Sequence, residues 1–161
     1  MTAPVTAFIG VGSNLDDPVR QVQTALAELA QLPHSELRAR SALYSTPPMG
    51  PPDQPDYINA VAELATSLPP HHLLAELQQI EDAHQRVRRD HWGPRTLDLD
   101  LLIYGTEIID DDRLRVPHPG LAERAFVVIP LAEIAPDLEI PGLTAPHVLQ
   151  ARFAASTIRK L

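Results

Sequence analysis

The chain has 161 residues, of which 44% are hydrophobic, and its 21 acidic against 13 basic residues give a formal net charge of -8 at pH 7. This length suits a single domain over residues 1–161, and the acidic balance argues against general binding to nucleic acid or to an anionic membrane. The absence of cysteine excludes disulfides and thiolate metal sites, and no secretory or membrane-spanning pattern occurs, so we expect a cytoplasmic protein without a membrane partner.

Hydrophobic periodicity alternates between strand and helix along the chain. Strands are predicted at residues 5–11, 37–44, 57–64 and 97–104. A first helix, capped by Asp16 or Asp17, runs to about residue 32, a second runs from Pro69 to about residue 86, a third covers 126–134, and a last short helix starts near 145. We further expect residues 107–109 to pair with 97–104 as a hairpin. The order predicts an α+β, ferredoxin-like βαββαβ core, a mostly antiparallel sheet with helices on both faces in three layers, α/β/α.

Asp98 and Asp100 alternate with leucines in the predicted strand at 97–104. In an extended strand both carboxylates project from one face, with Cα atoms roughly 6.5 Å apart. Like charges on one face repel, so a cation is expected there, and oxygen ligands without cysteine favour Mg²⁺ or Mn²⁺ bound together with substrate phosphates. The alternative is a half-exposed strand whose outer face is acidic.

Basic charge is concentrated around these aspartates although the whole chain is acidic. Seven of the 13 basic residues are the arginines Arg86, Arg88, Arg89, Arg95, Arg113, Arg115 and Arg124. Arginine recognises phosphate through paired hydrogen bonds, so the pattern predicts a polyphosphate and metal site. It is not a dinucleotide fingerprint or a P-loop, because Leu15 replaces the third glycine after Gly10 and Gly12 and no Gly-x-x-x-x-Gly-Lys-Ser/Thr occurs.

Four segments in order resemble the 6-hydroxymethyl-7,8-dihydropterin pyrophosphokinase family of folate biosynthesis. They are GSNL at 12–15, TPPMGPPDQPDYINA at 46–60, HWGPRTLDLDLL at 91–102 and RLRVPHP at 113–119. The resemblance covers nearly the whole chain and is to the monofunctional form. It implies a Mg²⁺-dependent enzyme that transfers pyrophosphate from ATP to the hydroxymethyl oxygen of 6-hydroxymethyl-7,8-dihydropterin and releases AMP. ATP and the pterin are then its small-molecule partners, and we expect a monomer.

The resemblance also implies roles for individual residues. Asp98 and Asp100 would hold two Mg²⁺ ions, and Arg86 and Arg95 match catalytic arginines of the loop that closes over ATP. Contacts with the nucleotide are implied for Gln78, Glu81, Arg86, Trp92, Arg95, Leu101, Arg113, His118 and Arg124. Contacts with the pterin are implied for Thr46, Pro47, Pro48, Tyr57, Asn59, Trp92 and Phe126.

The residues themselves support part of this assignment. Tyr57 and Asn59 share one strand face, where a ring can pack on a flat heterocycle and an amide can recognise its edge. Without the resemblance, Tyr57 and Phe126 would be core aromatics, and Gln78 and Glu81 would form a solvated helix face. Two other functions stay open, a metal-dependent hydrolase of nucleoside polyphosphates and a ligand-binding module without turnover.

Overall fold

The computed structural model describes residues 3–14, 17–47, 56–85 and 97–161. Its strands are β1 (Val5–Ser13), β2 (Ser35–Arg40), β3 (Tyr44–Thr46), β4 (Tyr57–Thr66), β5 (Asp98–Tyr104), β6 (Ile109–Asp110), β7 (Arg115–Val116) and β8 (Arg159–Lys160). Its α-helices are α1 (Pro18–Leu29), α2 (Pro70–Gln85), α3 (Ala125–Ile134) and α4 (Pro146–Gln150). None of the helices in these ranges is long and apolar enough to cross a bilayer.

The main sheet is antiparallel and has the order β5-β1-β4-β3-β8, with β2 also paired to β4. If β2 and β3 are taken as one interrupted strand, the core elements follow the order βαββαβ, which confirms the predicted ferredoxin-like fold. Successive side chains of β1 point to opposite faces of the sheet, so the core has two layers, one on each face. Ile9 and Val11 pack with α1 and α2, whereas Phe8 packs with α3.

Local sequence explains where the helices begin and how they attach. The Asp17 carboxylate accepts a hydrogen bond from the Arg20 amide at 3.5 Å, and Pro18 occupies the first turn of α1, as predicted. On α2, Leu73 and Leu77 are completely buried against the sheet. Burial of each such leucine contributes about 1.5–3 kcal/mol, so the apolar face of the helix fixes its position.

The predicted strand at 37–44 is divided in the structure, because β2 ends at Arg40 and β3 begins at Tyr44. Ser41, between them, is buried; its amide still donates to the Val61 carbonyl at 2.9 Å, but the return bond from Val61 goes to its side chain. Its Oγ accepts a hydrogen bond from the Val61 amide at 2.9 Å and donates to the Ala42 carbonyl at 2.7 Å. A serine that competes for backbone partners in this way interrupts a strand that the apolar pattern alone predicts as continuous.

The predicted hairpin between 97–104 and 107–109 is wrong. β6 pairs with β7, in the register Ile109 with Val116, and β5 pairs with β1. Gly105, at φ +56°, turns the chain away from β5, and its amide donates to the Thr6 carbonyl at 2.8 Å. The edge of β5 pairs with β1, which is distant along the chain, and residues 109–110 pair instead with the nearby β7.

Candidate functional site

A cavity of about 830 Å³ lies on the α3 side of the main sheet. Eight of the predicted site residues line it: Thr46, Pro47, Tyr57, Asn59, Asp98, Asp100, Arg124 and Phe126. They come from β3 and the residue after it, from β4 and β5, and from α3 and the residue before it. Residues far apart in sequence meet here because β3, β4 and β5 belong to one sheet.

The floor of the cavity is the glycine pair Gly10 and Gly12 on β1. Register places Gly10 opposite Asp100 and places Gly12 between Asp98 on β5 and Asn59 on β4. Without side chains at these positions, the space between the aspartates and Asn59 stays open. The sequence excludes a dinucleotide motif at this pair, and its role as the cavity floor is not among the sequence-based predictions. The available signal was two glycines spaced by two inside a strand, which marks a close approach of ligand to backbone.

Asp98 and Asp100 are both half-buried and line the cavity, whereas Leu99 and Leu101 between and beyond them are buried in the opposite core layer. The alternation predicted from sequence therefore holds. Two carboxylates are a donor set suited to a hard divalent cation that takes its other ligands from phosphates and water. Among the described residues, no group of three or more histidines, cysteines, aspartates or glutamates is placed to hold a metal. The protein's contribution from these ranges is thus the carboxylate pair.

Glu81 on α2 contacts the strand that carries the aspartates. Its Oε2 accepts a hydrogen bond from the Leu99 amide at 2.7 Å, on the edge of β5 that does not face β1. Leu99 lies between Asp98 and Asp100, so this bond fixes the backbone that positions both carboxylates. Glu81 does not line the cavity and therefore acts here as a brace.

Asn59 and Tyr57 form the opposite part of the site. Asn59 is only 6% exposed, and its Nδ2 donates to Thr46 Oγ1 at 3.3 Å, which orients the amide. A buried amide beside a half-buried tyrosine offers donor and acceptor atoms next to an aromatic surface. This combination suits a flat heterocycle with hydrogen-bonding groups along its edge.

Arg124 brings a positive charge to the same cavity. Its guanidinium carbon lies 5.7 Å from the centre of the Phe126 ring, within the range of a cation–π contact. Gly120 also lies close, because an added Cβ there would be 2.9 Å from Arg124 Nε. The guanidinium therefore contacts an aromatic ring and a bare backbone, and Phe126 both lines the cavity and orients the arginine.

His118 lies beside this group at the β5 side. Its amide donates to the Leu102 carbonyl at 2.8 Å, and its Nδ1 accepts from the Gly120 amide at 3.1 Å, so the neutral ring carries its proton on Nε2. Burial lowers the pKa of His118, the negative charge of Asp100 opposes that shift, and Arg124 adds to it. His118 is thus electrostatically coupled to both Asp100 and Arg124 although it does not line the cavity.

The remaining predicted residues lie elsewhere. Gln78 is exposed on α2, and Leu101 is buried in the core layer of α1 and α2, where only its backbone is available to a ligand. Arg113 is exposed in the turn between β6 and β7. In that turn, Asp111 Oδ1 accepts from the Arg113 amide at 2.8 Å, and Oδ2 lies 2.7 Å from His71 Nε2. Pro48, Arg86, Trp92 and Arg95 fall outside the described residues.

Replacing Gly12 by alanine should disrupt recognition at the Asn59 end of the cavity. The added Cβ would lie 2.7 Å from Asn59 Oδ1, so the amide must move away from the orientation that Thr46 holds. We expect the Michaelis constant for the substrate at that end to rise about tenfold, the effect of losing one hydrogen bond in a buried site. Steady-state kinetics with each substrate varied in turn measures the change.

Gly10→Ala is the packing comparison, since its Cβ would meet only Leu102 side-chain atoms, at 3.5 Å or more. Equal unfolding temperatures for the two variants would show that any kinetic difference arises in the site. An unchanged Michaelis constant in Gly12→Ala would contradict the tight placement of Asn59.

The chain resembles proteins of one known family. Residues 8–136 match the family model described as 7,8-dihydro-6-hydroxymethylpterin-pyrophosphokinase. A 2-amino-4-hydroxy-6-hydroxymethyldihydropteridine pyrophosphokinase of Haemophilus influenzae is 48% identical over 157 residues, 98% of each chain. The protein of that name from Pseudomonas aeruginosa is 49% identical over 145 residues, covering 89% of this chain and 90% of its own.

Solved structures are similar in fold. A Plasmodium falciparum HPPK-DHPS A437G structure with STZ-DHP matches with a TM-score of 0.74 at 11% identity over 94% of this chain. An HPPK-DHPS structure in complex with substrates matches with a TM-score of 0.75 at 12% identity over 96% of this chain. The chain spans 46% and 44% of those longer chains respectively, and at such identities the likeness concerns the fold.

Proposed function

Because the chain belongs to the 7,8-dihydro-6-hydroxymethylpterin-pyrophosphokinase family, we propose that its α3-side cavity is the place where pyrophosphate passes from ATP to the pterin. The activity itself follows from membership. The chain is a pyrophosphokinase of folate biosynthesis that converts ATP and 6-hydroxymethyl-7,8-dihydropterin into AMP and the pterin diphosphate. What is proposed is which residues perform each part.

The observation that carries the proposal is the pairing of Gly12 with Asp98 on one side and Asn59 on the other. Neighbouring strands lie about 4.8 Å apart, so Asp98 and Asn59 are separated by about 10 Å across an open floor. A pterin ring bound at Asn59 can therefore direct its hydroxymethyl group toward phosphates held at the aspartates. One cavity supplies both ends of the reaction.

At the pterin end, Asn59 recognises the polar edge of the heterocycle, and Thr46 keeps the amide in place. Tyr57 and Phe126 pack against its faces beside Pro47, and the family resemblance assigns Pro48, outside the described residues, to the same role. A fixed ring holds the hydroxymethyl oxygen in the orientation needed for the transfer. Such positioning is the source of most of the rate enhancement in a reaction of this kind.

At the phosphate end, Asp98 and Asp100 would hold Mg²⁺, and we propose two ions. When bound, Mg²⁺ neutralises phosphate charge and polarises the transferred group. Arg124 and the catalytic arginines Arg86 and Arg95 neutralise the negative charge of the polyphosphate. The ring of Phe126 keeps Arg124 in position. The hydroxymethyl oxygen forms a bond to the β-phosphorus, the bond from that phosphorus to the α-phosphate oxygen breaks, and AMP leaves while the hydroxyl proton passes to solvent.

On the β5 side we propose the nucleotide contacts. His118 is coupled to Asp100 and Arg124, and Leu101 offers backbone atoms on the edge strand. Gln78, Glu81, Trp92 and Arg113 complete the set. Glu81 also braces Leu99 between the aspartates, so its replacement would affect metal binding as well as ATP.

The substrates also bear on where and how the protein acts. Its small-molecule partners are ATP and the pterin. We propose a cytoplasmic enzyme, since ATP is a metabolite of that compartment, and a monomer. The net charge of -8 disfavours a nucleic-acid partner.

The test is AMP formation from ATP and Mg²⁺ with and without 6-hydroxymethyl-7,8-dihydropterin, followed by mass analysis of the pterin. The proposal predicts AMP only when the pterin is present and a gain of one diphosphate by the pterin. AMP or phosphate release without pterin would favour a hydrolase, and binding of both substrates without turnover would favour a silent module.

A further inference from the structure

The segment of residues 151–161, here called the return segment, has no part in the function described above. It leaves α4, passes through a short turn, and comes back to the main sheet as β8 beside β3. Two of its side chains, Phe153 and Thr157, line the same cavity as Asp98 and Asn59. The cavity therefore has a wall that neither the sequence motifs nor the family resemblance assigned.

The position of this wall follows from strand register. Tyr44 pairs with Lys160 and Ser45 with Arg159, and the Leu161 amide donates to the Leu43 carbonyl at 2.8 Å. Continued in the same antiparallel register, this pairing sets Thr157 opposite Pro47, which also lines the cavity. The return segment thus extends the wall begun by the end of β3.

Hydrogen bonds within the segment fix the turn that presents Phe153. The Ser156 amide donates to the Phe153 carbonyl at 2.9 Å, and the Ile158 amide donates to Ser156 Oγ at 3.2 Å. Phe153 is half-buried and packs against the α3 core layer, as Phe126 does. One side of the ring is therefore anchored, and the part that lines the cavity is held in a defined place.

The strand order identifies which substrate this ring can meet. Asp98 and Asp100 are on β5, whereas the return segment pairs with β3, which lies three strand spacings or about 14 Å from β5, so β8 lies one spacing farther still. The phosphates belong at the β5 side and the heterocycle spans β1, β4 and β3. Thr157, two residues before β8, approaches the cavity from the β3 side, and Phe153 lines the cavity four residues earlier in the same segment, so we assign its ring to the end of the pterin that lies away from the hydroxymethyl group.

We propose that Phe153 is a binding residue for the pterin heterocycle, a third aromatic contact beside Tyr57 and Phe126, and that the return segment is part of the substrate site. This inference rests on the proposed function of the cavity. It makes the pairing of β8 with β3 a requirement for pterin affinity, because that pairing sets the distance of Phe153 and Thr157 from Pro47.

Replacing Phe153 tests the inference through the difference between the two substrates. In Phe153→Ala and in Phe153→Leu, which keeps an apolar contact with the core but removes the ring, the Michaelis constant for 6-hydroxymethyl-7,8-dihydropterin should rise about five- to tenfold. The Michaelis constant for ATP should change less than about twofold, because the ring is assigned to the pterin end of the cavity. Phe153→Tyr should restore pterin affinity.

Val148→Ala is the matched control, since Val148 is an apolar residue of α4 that is 49% exposed and does not line the cavity. It should keep wild-type values for both substrates. A wild-type Michaelis constant for the pterin in both Phe153→Ala and Phe153→Leu, or an equal rise for pterin and ATP, would overturn the inference. A wild-type chain without pterin-dependent AMP formation would overturn the proposed function as well, so the two failures are distinguishable.

Discussion

Asp98→Ala and Asp100→Ala should each reduce pyrophosphate transfer by at least about 10³-fold while the protein remains folded. The two carboxylates lie on one strand face and line the cavity, and the transfer depends on charge neutralisation at the phosphates. Stability should be little affected, because both side chains are half-exposed and like charges on one strand face repel each other. Initial rates of AMP formation and thermal unfolding measure the two effects.

Asp112→Ala is the control, since Asp112 is an exposed aspartate of the turn between β6 and β7 that does not line the cavity. Its activity and unfolding temperature should match those of the unchanged protein. If an alanine variant unfolds, the isosteric Asp98→Asn and Asp100→Asn variants remove the charge with the shape retained. Near-normal turnover in either folded variant would contradict the two-aspartate assignment.

Asn59→Ala should raise the Michaelis constant for the pterin about 10- to 100-fold and leave that for ATP nearly unchanged. The amide is buried and oriented by Thr46, so its loss leaves polar atoms of the heterocycle without partners in a site that is poorly accessible to water. Asn59→Asp keeps the shape but exchanges the donor for an acceptor, and it should be similarly impaired. Kinetics with one substrate saturating separates the two constants.

Gln79→Ala, a change of an exposed amide residue on α2, is the control and should behave as the unchanged protein. An unchanged Michaelis constant for the pterin in Asn59→Ala would show that the amide does not recognise the heterocycle. An equal loss for both substrates would instead indicate a general distortion of β4.

The parts of the site that could be predicted from sequence are those governed by strand periodicity. Asp98 and Asp100 on one face, and Tyr57 and Asn59 on another strand's face, follow from the period of two, and the structure brings all four to one cavity. Membership in a family with known motifs then placed Thr46, Arg124 and Phe126. The period of two predicts which side chains share one face of a strand. The order of strands in the sheet decides which of those side chains come together.

The parts that could not be predicted depend on pairing between distant residues. β8 consists of Arg159 and Lys160, two charged residues at a sheet edge, and nothing in their local pattern indicates a strand. Phe153 and Thr157 were missed for that reason, because their place at the cavity depends on β8. The role of Gly12 likewise required the register that sets Asn59 and Asp98 on either side of it.

The most direct measurement is a crystal structure of the enzyme with the pterin, a non-hydrolysable ATP analogue and Mn²⁺ in place of Mg²⁺, with the metal located by its anomalous scattering. We expect metal bound by Asp98 and Asp100 together with phosphate oxygens of the nucleotide, with the pterin between Tyr57 and Phe126 and its edge hydrogen-bonded to Asn59. Metal bound away from both aspartates, or a pterin outside the cavity, would contradict it.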